Sequence, residues 1–296
     1  MQSLTIGNQT LVWGKRTRVM GILNLTPDSF SGDGLLSGSP LLSEEDAPGL
    51  EAARRFLAVG VDILDIGGES TGPGSQPVEA AEELRRVLPT IQAIRAEFPD
   101  ALISIDTYKA AVAEEALKAG ASMVNDVWGL RADPGLAGVI AHYEAAVVLM
   151  HNRSKSGSVY VRKGLGNVYS AAEYQDVLEE VKGDLLGSVA LAQRAGIPEE
   201  RIILDPGIGF GKSVDQNLML INRLDEIRAL GFPVLLGPSR KSFIGYTLNL
   251  PPDQRLEGTA AAVAIGIARG ADIVRVHDVE AILRVVRMTD AIVRKK

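Results

Sequence analysis

The sequence predicts an α/β fold, specifically a (β/α)8 barrel of the TIM type that carries an N-terminal β-hairpin. Short apolar runs rich in β-branched residues recur eight times along the 296 residues. Each run is followed by a polar turn and then by an Ala-, Leu-, Glu- and Arg-rich segment that is typical of a helix. Because the runs are continuously apolar, they indicate parallel strands covered by helices. Eight such units favour a closed barrel, and an open doubly wound sheet is the alternative.

The hairpin is the first predicted element and lies within residues 1–16. Two alternating segments, LTI and QTLVW, flank the pair Gly7-Asn8, and such a pair between two strands is typical of a tight turn. We expect this hairpin to close the bottom of the barrel. No charge run or low-complexity linker divides the remaining chain, so we expect residues 1–296 to form a single domain.

The eight barrel strands follow in chain order, and the helical segments between them supply the crossovers that parallel strands require. The strands are predicted at residues 18–23 (RVMGIL), 62–66 (DILDI), 101–106 (ALISID), 122–126 (SMVND), 146–150 (AVVLM), 201–205 (RIILD), 233–237 (PVLLG) and 272–276 (DIVRV).

Composition and charge limit the partners of the protein. The chain is 46% hydrophobic and has a formal net charge of -6, which argues against binding to nucleic acids or anionic membranes. It contains no cysteine, so disulfides, thiolate metal sites and a cysteine nucleophile are excluded, and any metal must be held by oxygen or imidazole. The most apolar stretch, 258–268, is too short to span a membrane. We therefore expect a cytoplasmic protein with small-molecule partners.

Polar side chains stand at or just beyond the end of every predicted strand. Asp and Asn often cap helices, so capping is the structural alternative for any one of them. A barrel brings all eight carboxyl ends to one rim, where barrel enzymes build their active sites, so the joint placement favours function. The set comprises Asn24, Asp65, Glu69, Asp106, Asn125, Asp126, His151, Asp205, the cluster Ser239-Arg240-Lys241-Ser242, Arg275 and His277.

Strand alternation indicates the chemistry of this rim. Arg275 and His277 are two residues apart, so their side chains point to the same face of the strand. If that face is the barrel interior, the mouth combines the acceptors Asp106 and Asp205 with the donor Lys241. Such a mixture suits a flat heterocycle that a carboxylate contacts through two atoms while a guanidinium stacks on the ring. A purely structural Arg–Asp pairing is one alternative, and an aldolase-type Schiff-base lysine is another.

The loops of the rim also carry predictions. The segment DPGIGFGKS, 205–213, nearly matches a phosphate-binding P-loop, but Pro206 stands at the required first glycine and offers no N–H group. We therefore reject that motif and expect its glycines to permit a tight turn or a close approach of the backbone to a ligand. Three long Gly-, Ser- and Pro-rich loops, 24–42, 67–77 and 152–169, are typical of lids or binding loops.

Seven segments in this order resemble the dihydropteroate synthase family: ILNLTPDSFS, DIGGEST, SIDT, NDV, LDPGIGFGK, SRKSFIG and RVHD. The match spans nearly the whole chain after the hairpin, and the first segment and the SRKS–RVHD pair are its most specific parts. The resemblance implies a homodimeric (β/α)8 transferase (EC 2.5.1 class) of folate biosynthesis with Mg2+ as cofactor. Such an enzyme condenses 6-hydroxymethyl-7,8-dihydropterin diphosphate with 4-aminobenzoate to give 7,8-dihydropteroate and pyrophosphate.

The resemblance also implies which residues bind each substrate. The pterin pocket, in which the Arg275 guanidinium would stack on the ring, would comprise Asp106, Asn125, Asp205, Lys241 and Arg275. The diphosphate would be bound by Asn24, Thr71, Arg275 and His277, and Asn24 would hold Mg2+. The 4-aminobenzoate would contact Phe30, Thr71, Pro73, Lys241 and Ser242.

The catalytic residues implied by the resemblance act through charge. In this family the C–O bond breaks early and gives a pterin cation, which the weakly basic aryl amine attacks without a strong general base. The catalytic set would stabilise the departing pyrophosphate and the cation, and it would comprise Lys241, Asp106, Asp205, Arg275 and His277.

Two loop segments depart from the family pattern. The second loop reads Ser70-Thr71-Gly72-Pro73 where the family usually has Ser-Thr-Arg-Pro, and the first reads Ser31-Gly32-Asp33-Gly34 where Ser-Asp-Gly-Gly is usual. Glycine lacks the guanidinium and has the most conformational freedom to lose, so we expect a mobile second loop. Gly72→Arg should then lower the KM for 4-aminobenzoate without changing pterin binding. The alternatives are a pterin-binding homologue with weak or lost synthase activity and a pterin-dependent methyltransferase of the same superfamily.

Overall fold

The computed structural model describes residues 3–26, 49–155, 159–162 and 164–294. Its strands are β1 (Ser3–Ile6), β2 (Gln9–Val12), β3 (Arg18–Asn24), β4 (Ile63–Gly67), β5 (Leu102–Asp106), β6 (Met123–Asp126), β7 (Ala146–Met150), β8 (Val159–Arg162), β9 (Gly166–Tyr169), β10 (Ile202–Asp205), β11 (Leu235–Leu236) and β12 (Ile273–Val276). The predicted Phe30 and Asp33 lie outside the described residues.

Eight of these strands form a parallel barrel within the described part of the chain. Neighbours pair in the order β3, β4, β5, β6, β7, β10, and β11 pairs with β12, which returns to β3. The ring closes between β10 and β11, where Leu204 bridges Val234 in parallel and the Leu204 N–H donates to the Pro233 carbonyl at 2.9 Å. All eight predicted barrel strands are therefore present, and the open-sheet alternative is wrong.

Helices follow the barrel strands and cover the outside of the barrel. They are α1 (Leu50–Val59), α2 (Ala80–Glu97), α3 (Ala110–Lys118), α4 (Leu136–His142), α5 (Val177–Arg194), α6 (Val214–Asn222), α7 (Leu224–Arg228), α8 (Ser242–Leu248), α9 (Leu256–Ala268) and α10 (Val279–Val293). Polar side chains cap the N-termini of two of these helices, α5 and α6. The Asp176 carboxylate accepts from the Leu178 N–H, and Ser213 forms a capping box with Gln216 at the start of α6.

The larger apolar core lies between the strands and the helices. On β4, for example, Leu64 and Ile66 point outward and are fully buried in the same cluster as Val87 and Ile91 of α2. Apolar residues at every second strand position thus hold the helices against the barrel.

A second, smaller core fills the bottom of the barrel. Leu4, Ile6, Leu11 and Trp13 of the N-terminal hairpin are buried there against the inward side chains at the beginnings of the barrel strands. The hairpin therefore closes the bottom, as predicted. The inward strand residues of this cluster are Met20, Ile63, Leu102, Met123, Ala146, Val148, Ile203, Leu235 and Ile273.

On several barrel strands, the inward residue two positions after the apolar one is polar. Ile63 is followed on the same face by Asp65, and Leu102 by Ser104, which is the register partner of Asp65. The same step places Asn125, Asp205 and Arg275 on the inner face of β6, β10 and β12. These residues form a polar layer directly above the second, smaller core, which we call the apolar plug.

The long loop after β7 contains regular structure that was not predicted. Residues 159–162 and 166–169 form the antiparallel strands β8 and β9, which we call the fifth-loop hairpin, and Val159 pairs with Tyr169. The pair Lys163-Gly164 in the sequence, between two segments rich in β-branched and aromatic residues, was the available signal. Among the described residues, no helix is long and apolar enough to cross a membrane.

Candidate active site

One pocket at the carboxyl end of the barrel collects the predicted site residues. It is lined by Asn24, Thr71, Pro73, Asp106, Asn125, Asp205, Lys241, Ser242, Arg275 and His277, together with further residues of the second loop, of the segment 205–213 and of the fifth-loop hairpin. Every predicted site residue except Phe30, which is outside the described residues, therefore lies at this pocket. This is the rim that the barrel topology predicts.

The Arg275 side chain is held by two carboxylates in the polar layer. Its Nε donates to Asp65 Oδ2 at 2.5 Å and its Nη2 donates to Asp106 Oδ2 at 2.6 Å. The Asn125 amide also donates to Asp65 Oδ2, at 3.1 Å. Burial opposes the charge of Arg275, but the two carboxylates outweigh it and raise its pKa, so the guanidinium stays charged. The Arg–Asp pairing considered from the sequence is thus present, and it fixes the plane of the guanidinium.

Acceptor atoms remain unpaired around this cluster. Asp65 Oδ1, Asp106 Oδ1 and Ser104 Oγ are buried and have no hydrogen-bond partner among the described residues. Burial raises the pKa of Asp106 to about 7, although the positive charge of Arg275 opposes the shift. Buried polar atoms normally have partners, and of these three residues Asp106 lines the pocket, so its Oδ1 indicates a place for a ligand with an N–H donor.

Asp205 and Lys241 form the other polar wall of the pocket. Burial raises the pKa of Asp205, with Lys241 opposing the shift, and Asp205 Oδ1 accepts from the Gly207 N–H at 2.7 Å. Burial lowers the pKa of Lys241 to about 8, and its Nζ donates to the Ile208 carbonyl at 2.6 Å. Gly237 lies between these groups. A Cβ there would stand 3.8 Å from Lys241 Nζ and 4.0 Å from Asp205 Oδ2, so this position of the pocket wall faces both groups at contact distance.

The segment 205–213 packs against His151, directly after β7. A Cβ on Gly207, whose φ is +68°, would lie 1.8 Å from the His151 carbonyl oxygen, so this glycine is required for the tight approach of the two loops. The buried Lys212 Nζ donates to the carbonyls of Gly207 at 2.8 Å and Phe210 at 3.0 Å, and lies 2.9 Å from His151 Nδ1. Of the two expected roles for the glycines, the tight turn is present.

The turn that presents Lys241 is also fixed. Arg240 adopts a φ of +55°, an unfavourable conformation for a side-chain-bearing residue. Its guanidinium makes two bonds to Asp278, at 2.9 and 2.6 Å, and its carbonyl accepts from the buried Arg255 at 2.9 Å. These bonds stabilise the strained turn, and Lys241 immediately precedes α8.

Asn24, Ser239 and His277 line the pocket beside this turn. His277 Nδ1 lies 3.0 Å from Ser239 Oγ, and the His277 N–H donates to the same hydroxyl at 3.2 Å. Among the described residues, no three His, Asp or Glu side chains could hold a metal by themselves. Asn24 supplies a neutral oxygen, which suits a Mg2+ ion that obtains its other ligands from substrate phosphates and water.

Contacts hold the second loop at its beginning and near its middle. At its beginning, Glu69 forms an ion pair with Lys109, accepts from the Tyr108 hydroxyl at 2.9 Å and accepts from the Val78 N–H at 3.0 Å. Near its middle, the carbonyls of Thr71 and Pro73 accept bonds from the fifth-loop hairpin. The mobility expected of this loop from Gly72 stays a prediction, and these main-chain contacts were not part of that expectation.

Sequence reasoning assigned no role to Asp65, Asn167 or Tyr169. Asp65 was noted only as a strand-end residue, and its inward parity with Ile63 was the signal that it shares the polar layer with Arg275 beneath the pocket lining. Asn167 and Tyr169 line the pocket from β9, in a segment predicted only as a loop.

Comparisons with known proteins agree with this geometry. The family model described as pterin binding enzyme matches residues 20–277. The chain is 47% identical over 285 residues to the dihydropteroate synthase of Bacillus subtilis, with 96% of this chain and 92% of that protein covered.

Two solved structures are similar over almost their whole length. Dihydropteroate synthase from Clostridium difficile, determined in the presence of pteroic acid, has 48% identity and a TM-score of 0.81, with 96% of this chain and 99% of that chain covered. The Xanthomonas albilineans dihydropteroate synthase with 4-aminobenzoic acid has 39% identity and a TM-score of 0.85, with 98% of each chain covered. The present chain therefore belongs to the pterin binding enzyme family and, within it, to the dihydropteroate synthases, which are transferases of folate biosynthesis.

Proposed function

We propose that this chain condenses 6-hydroxymethyl-7,8-dihydropterin diphosphate with 4-aminobenzoate, releasing pyrophosphate and 7,8-dihydropteroate. The observation that carries the proposal is the pocket in which buried carboxylates, Asp106 and Asp205, face the cations Lys241 and Arg275. Acceptors at this depth suit the N–H edge of a pterin, and cations at the same mouth suit an anionic leaving group.

The pterin ring would lie in the polar layer of the barrel. Asp106 Oδ1 and Asp205 would accept from its donor edge, and the space above Gly237 would hold the ring itself. Because the bonds from Arg275 to Asp65 and Asp106 lie in the plane of the guanidinium, its flat face is left to stack on the heterocycle.

The chemical step would depend on charge stabilisation. The C–O bond to the diphosphate breaks and its electron pair leaves with pyrophosphate, whose negative charge Arg275 and His277 would stabilise. Asp106 and Asp205 would favour the pterin cation, the amine nitrogen would form the new C–N bond, and its proton would pass to solvent. When bound, Mg2+ would supply further positive charge at the diphosphate, and Asn24 would help to hold it.

The 4-aminobenzoate would bind nearer the rim than the pterin. Thr71 and Pro73 of the second loop and Ser242 at the beginning of α8 line that part of the pocket, beside Lys241. Phe30 would complete the site from the first loop. Closure of these loops would exclude water and strengthen each electrostatic contact.

A homodimer is part of the proposal. Leu218, Leu248 and Ile265, on α6, α8 and α9, are 41%, 47% and 50% exposed around one apolar groove. Apolar surface of this kind on neighbouring helices supports contact with a second copy. Light scattering during gel filtration should give twice the chain mass, and a mass of 31.5 kDa would contradict it. A cytoplasmic location stays a prediction.

The experiment is a coupled measurement of both products. The purified chain, Mg2+ and both substrates should give pyrophosphate and 7,8-dihydropteroate in equal amounts, and omission of either substrate or addition of EDTA should stop the reaction. Lys241→Ala should reduce turnover while leaving the circular dichroism unchanged. Tight binding of the pterin diphosphate without product would instead favour the binding homologue, and methyl transfer from methyltetrahydrofolate would favour the methyltransferase.

A further inference from the structure

We propose that Asn167 and Tyr169 of the fifth-loop hairpin are positioning residues that hold the second loop over the 4-aminobenzoate half of the site. The inference rests on the proposed function and deepens it by assigning the order of that loop to a different segment of the chain. It concerns positioning of the loop and not the chemical step.

Both side chains bond to the main chain of the second loop. Asn167 Nδ2 donates to the Pro73 carbonyl at 3.1 Å, and the Tyr169 hydroxyl donates to the Thr71 carbonyl at 3.0 Å. The two residues are two apart on β9 and so share a face, while Val168 between them is buried on the other face. Burial raises the pKa of the Tyr169 phenol, so the hydroxyl keeps its proton and remains a donor at neutral pH.

These bonds enclose Gly72, the residue that departs from the family pattern. They go to carbonyl oxygens on either side of it, so they do not depend on the side chain at position 72. Inside the loop, the Ser75 N–H donates to the Gly72 carbonyl at 3.2 Å and closes a short turn. The hairpin therefore orders the segment that would otherwise rely on a guanidinium at this position.

The hairpin is itself firmly attached. The Leu165 carbonyl in its turn accepts from Nη2 of Arg255, a residue that is 1% exposed, at 2.8 Å. The Tyr169 ring stacks on Phe210 with a centroid distance of 6.1 Å, and Lys241 Nζ lies 4.8 Å from the centroid of Phe210. Tyr169 thus connects the second loop to the wall that carries Lys241.

The expected effect is selective for one substrate. Removing a tether frees the loop that carries Thr71 and Pro73, so 4-aminobenzoate must order it on binding. The pterin is held deeper in the barrel by Asp106, Asn125 and Asp205. Its affinity should therefore not change.

The test compares Tyr169→Phe, which retains the ring on Phe210, with Asn167→Ala and the double variant. Each single variant should raise the KM for 4-aminobenzoate about three- to tenfold, as expected for one hydrogen bond, and the double variant should raise it further. The calorimetric Kd for the pterin diphosphate should stay at the wild-type value. Tyr143→Phe, which removes the hydroxyl of a half-buried tyrosine directly after α4, is the matched control and should leave both values unchanged.

Two further measurements separate positioning from general structural damage. Amide hydrogen exchange of the peptide covering residues 70–76 should become faster in the double variant, without added substrate. Gly72→Arg should lower the KM more in the double variant than in the wild type, because only there is the loop untethered. An unchanged KM, a parallel loss of pterin affinity, or unchanged exchange in the second loop would overturn the proposal. Since wild-type product formation is measured first and exchange needs no turnover, failure of the proposed function would be recognised separately.

Discussion

Asp65 on β4 binds Arg275 on β12 across the barrel interior, with Arg275 Nε 2.5 Å from the Asp65 Oδ2 atom. β3 lies between these two strands, so the ion pair connects β4 and β12 on the inner face of the barrel. Asp65 is fully buried and also accepts from Asn125. Its carboxylate therefore orients two groups assigned to the pterin without lining the pocket itself.

Asp65→Asn tests this positioning role. The amide retains an acceptor but loses the charge that holds Arg275, so we expect pterin diphosphate affinity to fall about tenfold, the range for one charge-assisted bond. Isothermal calorimetry measures the change.

Asp62→Asn is the matched control for that variant. Asp62 pairs with Arg16 and Arg18 at the bottom of the barrel, so its replacement should lower stability without altering pterin affinity. Equal losses of affinity in the two variants, or none in Asp65→Asn, would contradict the role assigned to Asp65.

The pH dependence of the reaction should reflect Asp106 and Lys241. The pKa of Asp106 is raised to about 7, so as pH falls through that value protonation removes its negative charge and converts one of its two acceptor oxygens into a donor. The pKa of Lys241 is lowered to about 8, so its positive charge is lost as pH rises through that value. We expect kcat/KM for the pterin diphosphate to be highest between these two values, with macroscopic constants that belong to the coupled groups.

Stopped-time product assays from about pH 5.5 to 9.5 would record this profile. Asp106→Asn should flatten the acidic limb while leaving the alkaline limb in place. A wild-type profile that stays level through pH 7 would show that Asp106 does not titrate in the free enzyme.

The barrel could be predicted because its strands are continuous apolar runs. Residues such as Leu64 and Ile66 bury their side chains under helices while Ile63 faces the plug, so both faces of the strand are apolar near its beginning. This pattern distinguishes a parallel barrel strand from a half-exposed strand, and strand ends then locate the site.

The fifth-loop hairpin could not be predicted in the same way. Its pairing depends on tertiary contacts, since Arg255 holds Leu165 and the Tyr169 ring rests on Phe210, residues far apart in the sequence. A two-stranded hairpin is marginally stable alone, and local sequence signals for it are correspondingly weak. The bonds from this hairpin to the second loop could therefore not be predicted from the sequence around Gly72.

Gly237→Ala tests whether the space between Lys241 and Asp205 is where the ring binds. The added Cβ would make contacts of 3.8 to 4.0 Å, which are ordinary for a folded protein, but it would occupy the space assigned to the ring. We expect an unchanged melting temperature and a loss of pterin affinity of about tenfold or more.

Gly138→Ala on α4 is the matched control, because a Cβ there meets nothing within 4 Å. It should leave affinity at the wild-type value and raise the melting temperature slightly, because alanine is favoured over glycine inside a helix. Wild-type pterin affinity in Gly237→Ala would mean that the ring lies elsewhere.

The calorimetric affinity of Asp205→Asn for the pterin diphosphate tests the placement of the pterin ring most directly. Asp205 is 5% exposed at the pocket, and the proposed ring binding uses its carboxylate as an acceptor for the donor edge. An amide has one acceptor atom where the carboxylate has two, so we predict at least a tenfold loss of affinity with the fold retained. An unchanged affinity would contradict the placement of the pterin in the polar layer of the barrel.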